Sequence, residues 1–179
     1  FGSENYRFHD HEKLAHYANA ATDIEFKMPF GFKEVEGIHS RTNFDLSQHE
    51  TYSGRQIKYF DPETNESYTP YDIETSIGVD RMTLSVLCHS YQEEQLENGE
   101  TRVVLKFPPQ LAPVKLSVMP LVRKDGLAEK AREIVNDLKF HFNTHYDEKD
   151  SIGKRYRRQD AIGTPYCVTV DYDTLQDDT

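Results

Sequence analysis

Apolar positions along the 179 residues change their period several times, and each change predicts an element. In HDHEKLAHYANAATDIEF, Leu14, Tyr17, Ala18 and Ala21 recur at helical spacing and predict an amphipathic helix. FKEVEGIHS follows, with Phe32, Val35 and Ile38 set among polar residues, and reads as a strand. RQIKYFDPETNESYTPYDIET reads as a hairpin, because Asp61-Pro62 and Asn65 supply turn chemistry between two strand-like runs. SIGVDRMTLSVLCHSYQEE then opens a helix, with Val79, Met82, Val86 and either Ser90 or Tyr91 on one face. Helix, several strands and helix, in that order, predict an antiparallel sheet with helices packed on it.

EEQLENGETR is charged and contains a glycine, and FPPQLAP is rich in proline. Together they read as a linker, which puts a domain boundary near residue 110. The rhythm beyond it differs. VKLSVMPLV alternates as a strand, and GLAEKAREIVNDLKF carries Leu127, Ala131, Ile134, Val135 and Leu138 on one helical stripe. HFNTHYD is a short strand, SIGKRYRRQDAIG a helix and YCVTVDYDT a strand. This βαβαβ order predicts an α/β domain with a mostly parallel sheet, expected to be incomplete where it stops at Thr179.

Composition narrows the classes. Hydrophobic residues are 36% and charged residues 29%, and 11 tyrosines and 10 phenylalanines argue against a disordered chain. No run approaches the ~20 apolar residues of a membrane helix. The opening FGSENYRFHDHEK has neither a signal-peptide core nor an initiator Met, so a fragment, a processed product or only the ordered part of something longer is expected. The net charge of −10 speaks against a protein that coats nucleic acid non-specifically. Cys88 and Cys167 form neither a zinc spacing nor a disulfide framework; they suit a reducing cytoplasm and read as small buried apolar residues.

Three stretches carry candidate chemistry. In ETSIGVDRM, Glu74 and Ser76 share a strand face, Gly78 lets the backbone turn or a ligand approach, and Arg81 opens the next helix. An arginine fork suits phosphate oxygens, and a carboxylate and hydroxyl beside it suit a small zwitterion next to a nucleotide. By spacing alone, a Ser76 helix cap and a surface Arg–Asp pair fit the same residues. Glu34 and Glu36 are expected on one strand face, where paired carboxylates call for water, a cation or an ammonium group. Arg41 and Asp45 fit an ordinary surface pair. GKRYRRQD sets Lys154, Arg155, Arg157 and Arg158 around Tyr156, which suits a stacked base with phosphate contacts, or a basic face balancing an acidic chain. His9, His11 and His16 match no helical zinc spacing and read as a solvated helix start.

Taken in order, ENYRFHDHEKLAHYANAATDIEF, PFGFKEVEGIHSRTNFDLSQH, YDIETSIGVDRM, LAPVKLSVMPLV and SIGKRYRRQDAIGTPYCVTVDYDT resemble the C-terminal half of dimeric class II glycyl-tRNA synthetases. The resemblance implies a partial class II synthetase core of α+β type over residues 1–110, then an anticodon-binding domain over 111–179. It implies glycine binding by Glu74, Thr75, Ser76, Ile77 and Gly78, with the Glu74 carboxylate on the ammonium group. It implies ATP binding by Glu34, Val35, Gly78, Val79, Asp80 and Arg81, with Arg81 on the γ-phosphate and Glu34 beside Mg²⁺. Lys154, Arg155, Tyr156, Arg157 and Arg158 would meet tRNA(Gly). A cytoplasmic homodimer follows by the same resemblance. Motifs 1 and 2 of the class are not found, so the 179 residues alone are expected to be inactive. Two other classes compete: a non-catalytic synthetase-like accessory subunit, such as that of mitochondrial DNA polymerase, and a free-standing RNA-binding module.

Overall fold

A computed structural model describes residues 1–177, which form two compact units, one from Phe1 to His89 and one from Ser90 onward. The first unit runs β1 (Tyr6–Asp10), β2 (Ala20–Met28), β3 (Gly31–Ser40), α1 (Phe44–Ser53), β4 (Tyr59–Asp61), β5 (Glu66–Tyr68), β6 (Ile73–Ile77) and α2 (Val79–Ser90). Four strands make an antiparallel sheet in the order β1-β2-β3-β6, and β4 and β5 form the expected hairpin.

The helix expected across residues 9–26 does not form. Tyr6 to Asp10 pair antiparallel with Phe26 to Thr22 instead. Two-residue alternation wins over helical spacing because it buries more. Phe26 and Met28 are buried on either side of exposed Lys27, and they pack with Val35, Ile24 and Met82. A helix over the same residues would scatter Ile24, Phe26 and Met28 around its circumference. Met82 and Cys88 of α2 cover this face of the sheet, whereas Val79 stays exposed. Helix α1, absent from the expected order, buries none of its residues; it ends on Gly54 at φ 66, whose amide donates to the Glu50 carbonyl. A stripe facing solvent leaves no apolar period to read.

The second unit runs β7 (Tyr91–Gln95), β8 (Thr101–Leu105), β9 (Leu116–Pro120), α3 (Leu127–Leu138), β10 (Thr144–Tyr146), α4 (Ile152–Ile162), β11 (Tyr166–Val170) and α5 (Thr174–Asp177). Its three-stranded sheet is parallel, in the order β10-β9-β11, as the βαβαβ pattern requires. The central strand is the most buried, with Val118 and Met119 wholly enclosed, and Leu127 and Ala131 of α3 complete that core with Val170.

The charged stretch expected as a linker is a second hairpin. Tyr91 to Gln95 pair with Leu105 to Thr101, and Gly99, at φ 82, sits in the turn. The boundary expected near residue 110 therefore falls inside the second unit. The hairpin belongs there through chemistry that spans 58 residues, because Arg102 bridges Glu94 on β7 and Asp160 on α4. Gly163, at φ 76, lies so close to Phe107 and the Leu105 carbonyl that a side chain has no room. The last two positions of the expected 111–179 domain lie outside the described residues.

Candidate functional site

The ladder between β3 and β6 assembles the site in the first unit. Gly37 lies opposite Ser76 and His39 opposite Glu74. Opposed residues in an antiparallel pair project to the same face, so these four form a two-by-two tile. On the other side of β3, Asp23 lies opposite Gly37 and Ala21 opposite His39, which extends the same face across the sheet. Thr75 and Ile77 alternate with the tile and project to the opposite face.

Glu74 is held by a residue that the chain places 33 positions earlier. Arg41 Nη1 donates to the Glu74 carboxylate at 2.5 Å, while its Nε and Nη2 donate to Asp45 at 2.6 and 3.2 Å. The guanidinium lies 4.1 Å above the Tyr17 ring. The Asp45 hydrogen bond, outweighing burial, and then Glu74 hold Arg41 well above its ordinary pKa. The same bond holds the Asp45 carboxyl below its ordinary range. The expected surface pair of Arg41 and Asp45 is thus a brace for Glu74. Sequence spacing shows the Arg–Asp half of it and not the third member.

Arg81 and Glu34 also meet. Arg81 Nη1 donates to the Glu34 carboxylate at 3.0 Å and to its backbone carbonyl at 3.1 Å. Both side chains stay about half exposed, at 58% and 48%. They line a cleft of about 350 Å³ with Met28, Phe30, Lys33 and Leu84. Val35, by contrast, is buried in the core, and Val79 and Asp80 are exposed at the start of α2. The two readings that spacing left open for this joint separate here. Ser76 lies in β6, and it is the Gly78 carbonyl that accepts the first helical bond, from the Met82 amide at 2.8 Å. Arg81 pairs with Glu34, not with Asp80. Gly78 does not need positive φ, and an added Cβ would meet only Arg81 side-chain atoms at 3.6–3.7 Å, an ordinary contact. Its lack of a side chain is not demanded by the turn.

Glu34 and Glu36 do not share a face. The pairing slips between Ile24 and Glu25, so Glu36 faces Ile24 and Glu34 faces Glu25. Adjacent strand residues project oppositely, and the bulge separates the two carboxylates. Glu25 is itself engaged: Arg7 donates to it at 2.5 Å, and this bond holds its carboxyl below the ordinary range. His9 and His11 lie on and just beyond β1, not on a helix, and His11 Nε2 is 2.8 Å from the Asp23 carboxylate. Its ring stands edge-on to that of His39, with centroids 6.1 Å apart. These histidines were invisible as a group because their gathering depends on strand pairing.

In the second unit the basic cluster divides. Lys154, Tyr156 and Arg157 are exposed on α4, and the Tyr156 hydroxyl meets Thr169 Oγ1 at 2.9 Å. Arg155 points inward, only 3% exposed, and donates to the Pro120 and Asp150 carbonyls. Arg158 binds Asp147 at 2.7 Å and Asp150 at 3.0 Å. A helical period of 3.6 turns consecutive residues to different faces, so the five residues from Lys154 to Arg158 cannot all face one ligand. Burial raises the Asp147 carboxyl, but the Lys149 amide and Arg158 outweigh it and leave it below its ordinary range.

Among the described residues no helix is long and apolar enough to cross a membrane, and no three His, Cys, Asp or Glu side chains converge as a metal cage. Residues 115–179 match the anticodon binding domain family, which covers the parallel sheet and its helices. The chain as a whole is 54% identical over 176 residues to a glycine–tRNA ligase of Chlorobaculum tepidum, covering 98% of the chain and 37% of the relative. It is 52% identical over 181 residues to that of Borrelia hermsii, covering 99% and 41%, and 55% identical over 176 residues to that of Ruminiclostridium cellulolyticum, covering 97% and 38%. Residues 115–179 are thus similar to the anticodon binding domain family, and the chain is similar to a segment of these glycine–tRNA ligases spanning 37–41% of their length.

Proposed function

We propose that the intact protein carrying this chain is a glycine–tRNA ligase, with residues 1–89 contributing part of the amino-acid and nucleotide site and the second unit meeting tRNA(Gly). The observation that supports this most is the tile of Glu74 and Ser76 on the sheet that also carries the Arg81–Glu34 pair. In this reading Glu74, fixed by Arg41, takes the glycine ammonium group, and Ser76 offers a hydroxyl beside it. Arg81 releases Glu34 to hold the γ-phosphate, and Gly78 leaves its backbone open to the nucleotide.

The glycine carboxylate then attacks the α-phosphorus of ATP. An O–P bond forms, the bond to the bridging oxygen breaks, and pyrophosphate leaves. The chain contributes positioning and charge neutralisation, which suffice for large accelerations when the reacting atoms are aligned. Magnesium bound mainly by phosphate oxygens needs only one or two protein carboxylates, and half-exposed Glu34 fits that need. The ion would offset charge on the triphosphate. Transfer of glycine to the terminal ribose of tRNA follows, with exposed Lys154, Tyr156 and Arg157 as the contacts on α4. A cytoplasmic homodimer completes the reading.

Glycine-dependent ATP–pyrophosphate exchange tests it, with alanine and serine as controls, on the intact protein and on the 179-residue chain. Exchange with glycine only is expected from the intact protein and not from the 179-residue chain. Arg81→Ala should lower the rate by about 10²–10³-fold, the usual effect of losing one preorganised charge contact. Glycine-independent binding of tRNA without any exchange would instead identify a non-catalytic relative.

A further inference from the structure

We propose that His39 is the wall that makes the amino-acid site specific for an unsubstituted α-carbon; this rests on the ligase reading above. Three corners of the tile, Glu74, Ser76 and His39, carry side chains on one face, and the fourth is Gly37. The empty corner is not open space. A Cβ built on Gly37 would stand 3.1 Å from His39 Cε1, 3.7 Å from His39 Nε2 and 3.5 Å from Asp23 Oδ1. The imidazole therefore leans over Gly37, into the corner beside Ser76.

The ring is braced from behind. The His11 ring stands edge-on to it, and His11 is in turn fixed by Asp23. On β6 the groups facing it are Glu74 and Ser76, on β2 Ala21 and Asp23, and Arg41 follows two residues on, just past the end of β3. An amino acid whose ammonium group lies on Glu74 and whose body lies along Ser76 has the ring edge at its flank. A methyl or hydroxymethyl group turned toward β3 meets that ring, whereas a hydrogen does not. His39 is half-buried, with the His11 ring on one side of it. Gly37 contributes by absence, because any side chain there would drive the ring further into the pocket.

The test compares kcat/KM for glycine, alanine and serine in the exchange assay with the intact protein and three variants. His39→Ala should raise the alanine-to-glycine ratio by about 10–200-fold, the discrimination expected from one methyl group against a filled surface. His39→Phe, which keeps a ring and loses the ionisable group, should keep the ratio close to that of the unaltered protein. Gly37→Ala should cut kcat/KM for glycine by about tenfold or more, and adding His39→Ala to it should restore most of the loss, a coupling that distant sites do not show. Should His39→Ala fail to fold, judged by circular dichroism and Tm, the Gly37→Ala result decides: unchanged glycine kinetics overturn the proposal. An unchanged ratio in folded His39→Ala also overturns it, while glycine exchange by the unaltered protein leaves the ligase reading standing. No glycine exchange from the unaltered protein sinks that reading, and this inference with it.

Discussion

At the scale of single residues, the side chains that matter act in pairs brought together by strand pairing. Arg41 is the clearest case. Its planar fork splits between Asp45 and Glu74 while its face rests on Tyr17, three contacts that only a guanidinium can make at once. Arg41→Lys keeps the charge and loses the fork, so Glu74 is freed to turn. The expected result is a fall in kcat/KM for glycine of about 10²-fold, most of it in KM, with KM for ATP little changed. Steady-state exchange kinetics read this directly, and an equal loss toward both substrates would argue that Arg41 only supports the fold. Glu74, Ser76 and Arg81 were legible from ETSIGVDRM as residue types at a strand–helix joint, and Glu34 from FKEVEG as a strand carboxylate. Arg41 as a brace, and His39 as a neighbour of Glu74, were not, because the sequence does not state which strands lie side by side.

At the scale of elements, α4 shows how one helix serves two tasks. Its inner face ties the parallel sheet together through Arg155 and Arg158, and its outer face offers Lys154, Tyr156 and Arg157. If the intact protein is the ligase proposed above, charge reversal of Lys154 and Arg157 should weaken tRNA charging in a salt-dependent way and leave glycine-dependent exchange intact. A loss of exchange in the same variant would refute the division. The inner face predicts acid sensitivity. Asp147 is lowered in the folded state, so the stability it lends is present above its unfolded pKa of about 3.9 and is lost as pH falls through the folded value. Asp147→Asn should cost about 1.5–3 kcal/mol at neutral pH, the range for a hydrogen bond to a charged partner. The gap between the variant and the unaltered protein should narrow as pH falls below the unfolded pKa and close once pH is below the folded one, where the carboxylate is protonated in both states. Urea unfolding across that pH series would show it, and a constant gap would mean that Asp147 matters for packing alone.

At the scale of the whole molecule, the division into units follows packing and not composition. EEQLENGETR and FPPQLAP have every compositional mark of a linker, yet the first is the turn and flanks of the β7–β8 hairpin. Arg102, Glu94 and Asp160 tie that hairpin to α4, and Lys106 adds a second cation to Glu94 at 2.8 Å. A chain of residues 90–177 should therefore fold cooperatively, whereas one of residues 111–177 should unfold at lower urea concentration. Matching transitions for the two would place the boundary back near residue 110.

The period of the apolar residues decided β3, α2, α3 and the parallel sheet, because each of these buries one face and writes that face into the sequence. The two-residue spacing of Glu74 and Ser76 decided that they share one strand face. The tertiary structure alone decided what short-range pattern cannot encode. It chose strands over a helix at residues 6–28, since Phe26 and Met28 gain burial only against Val35 and Met82. It split Glu34 from Glu36 by one slipped residue in the ladder. It turned Arg155 and Arg158 inward, and it set His39 over Gly37 beside Ser76. Each of these outcomes depends on a partner many positions away, and side-chain burial and hydrogen bonding are settled only when that partner arrives.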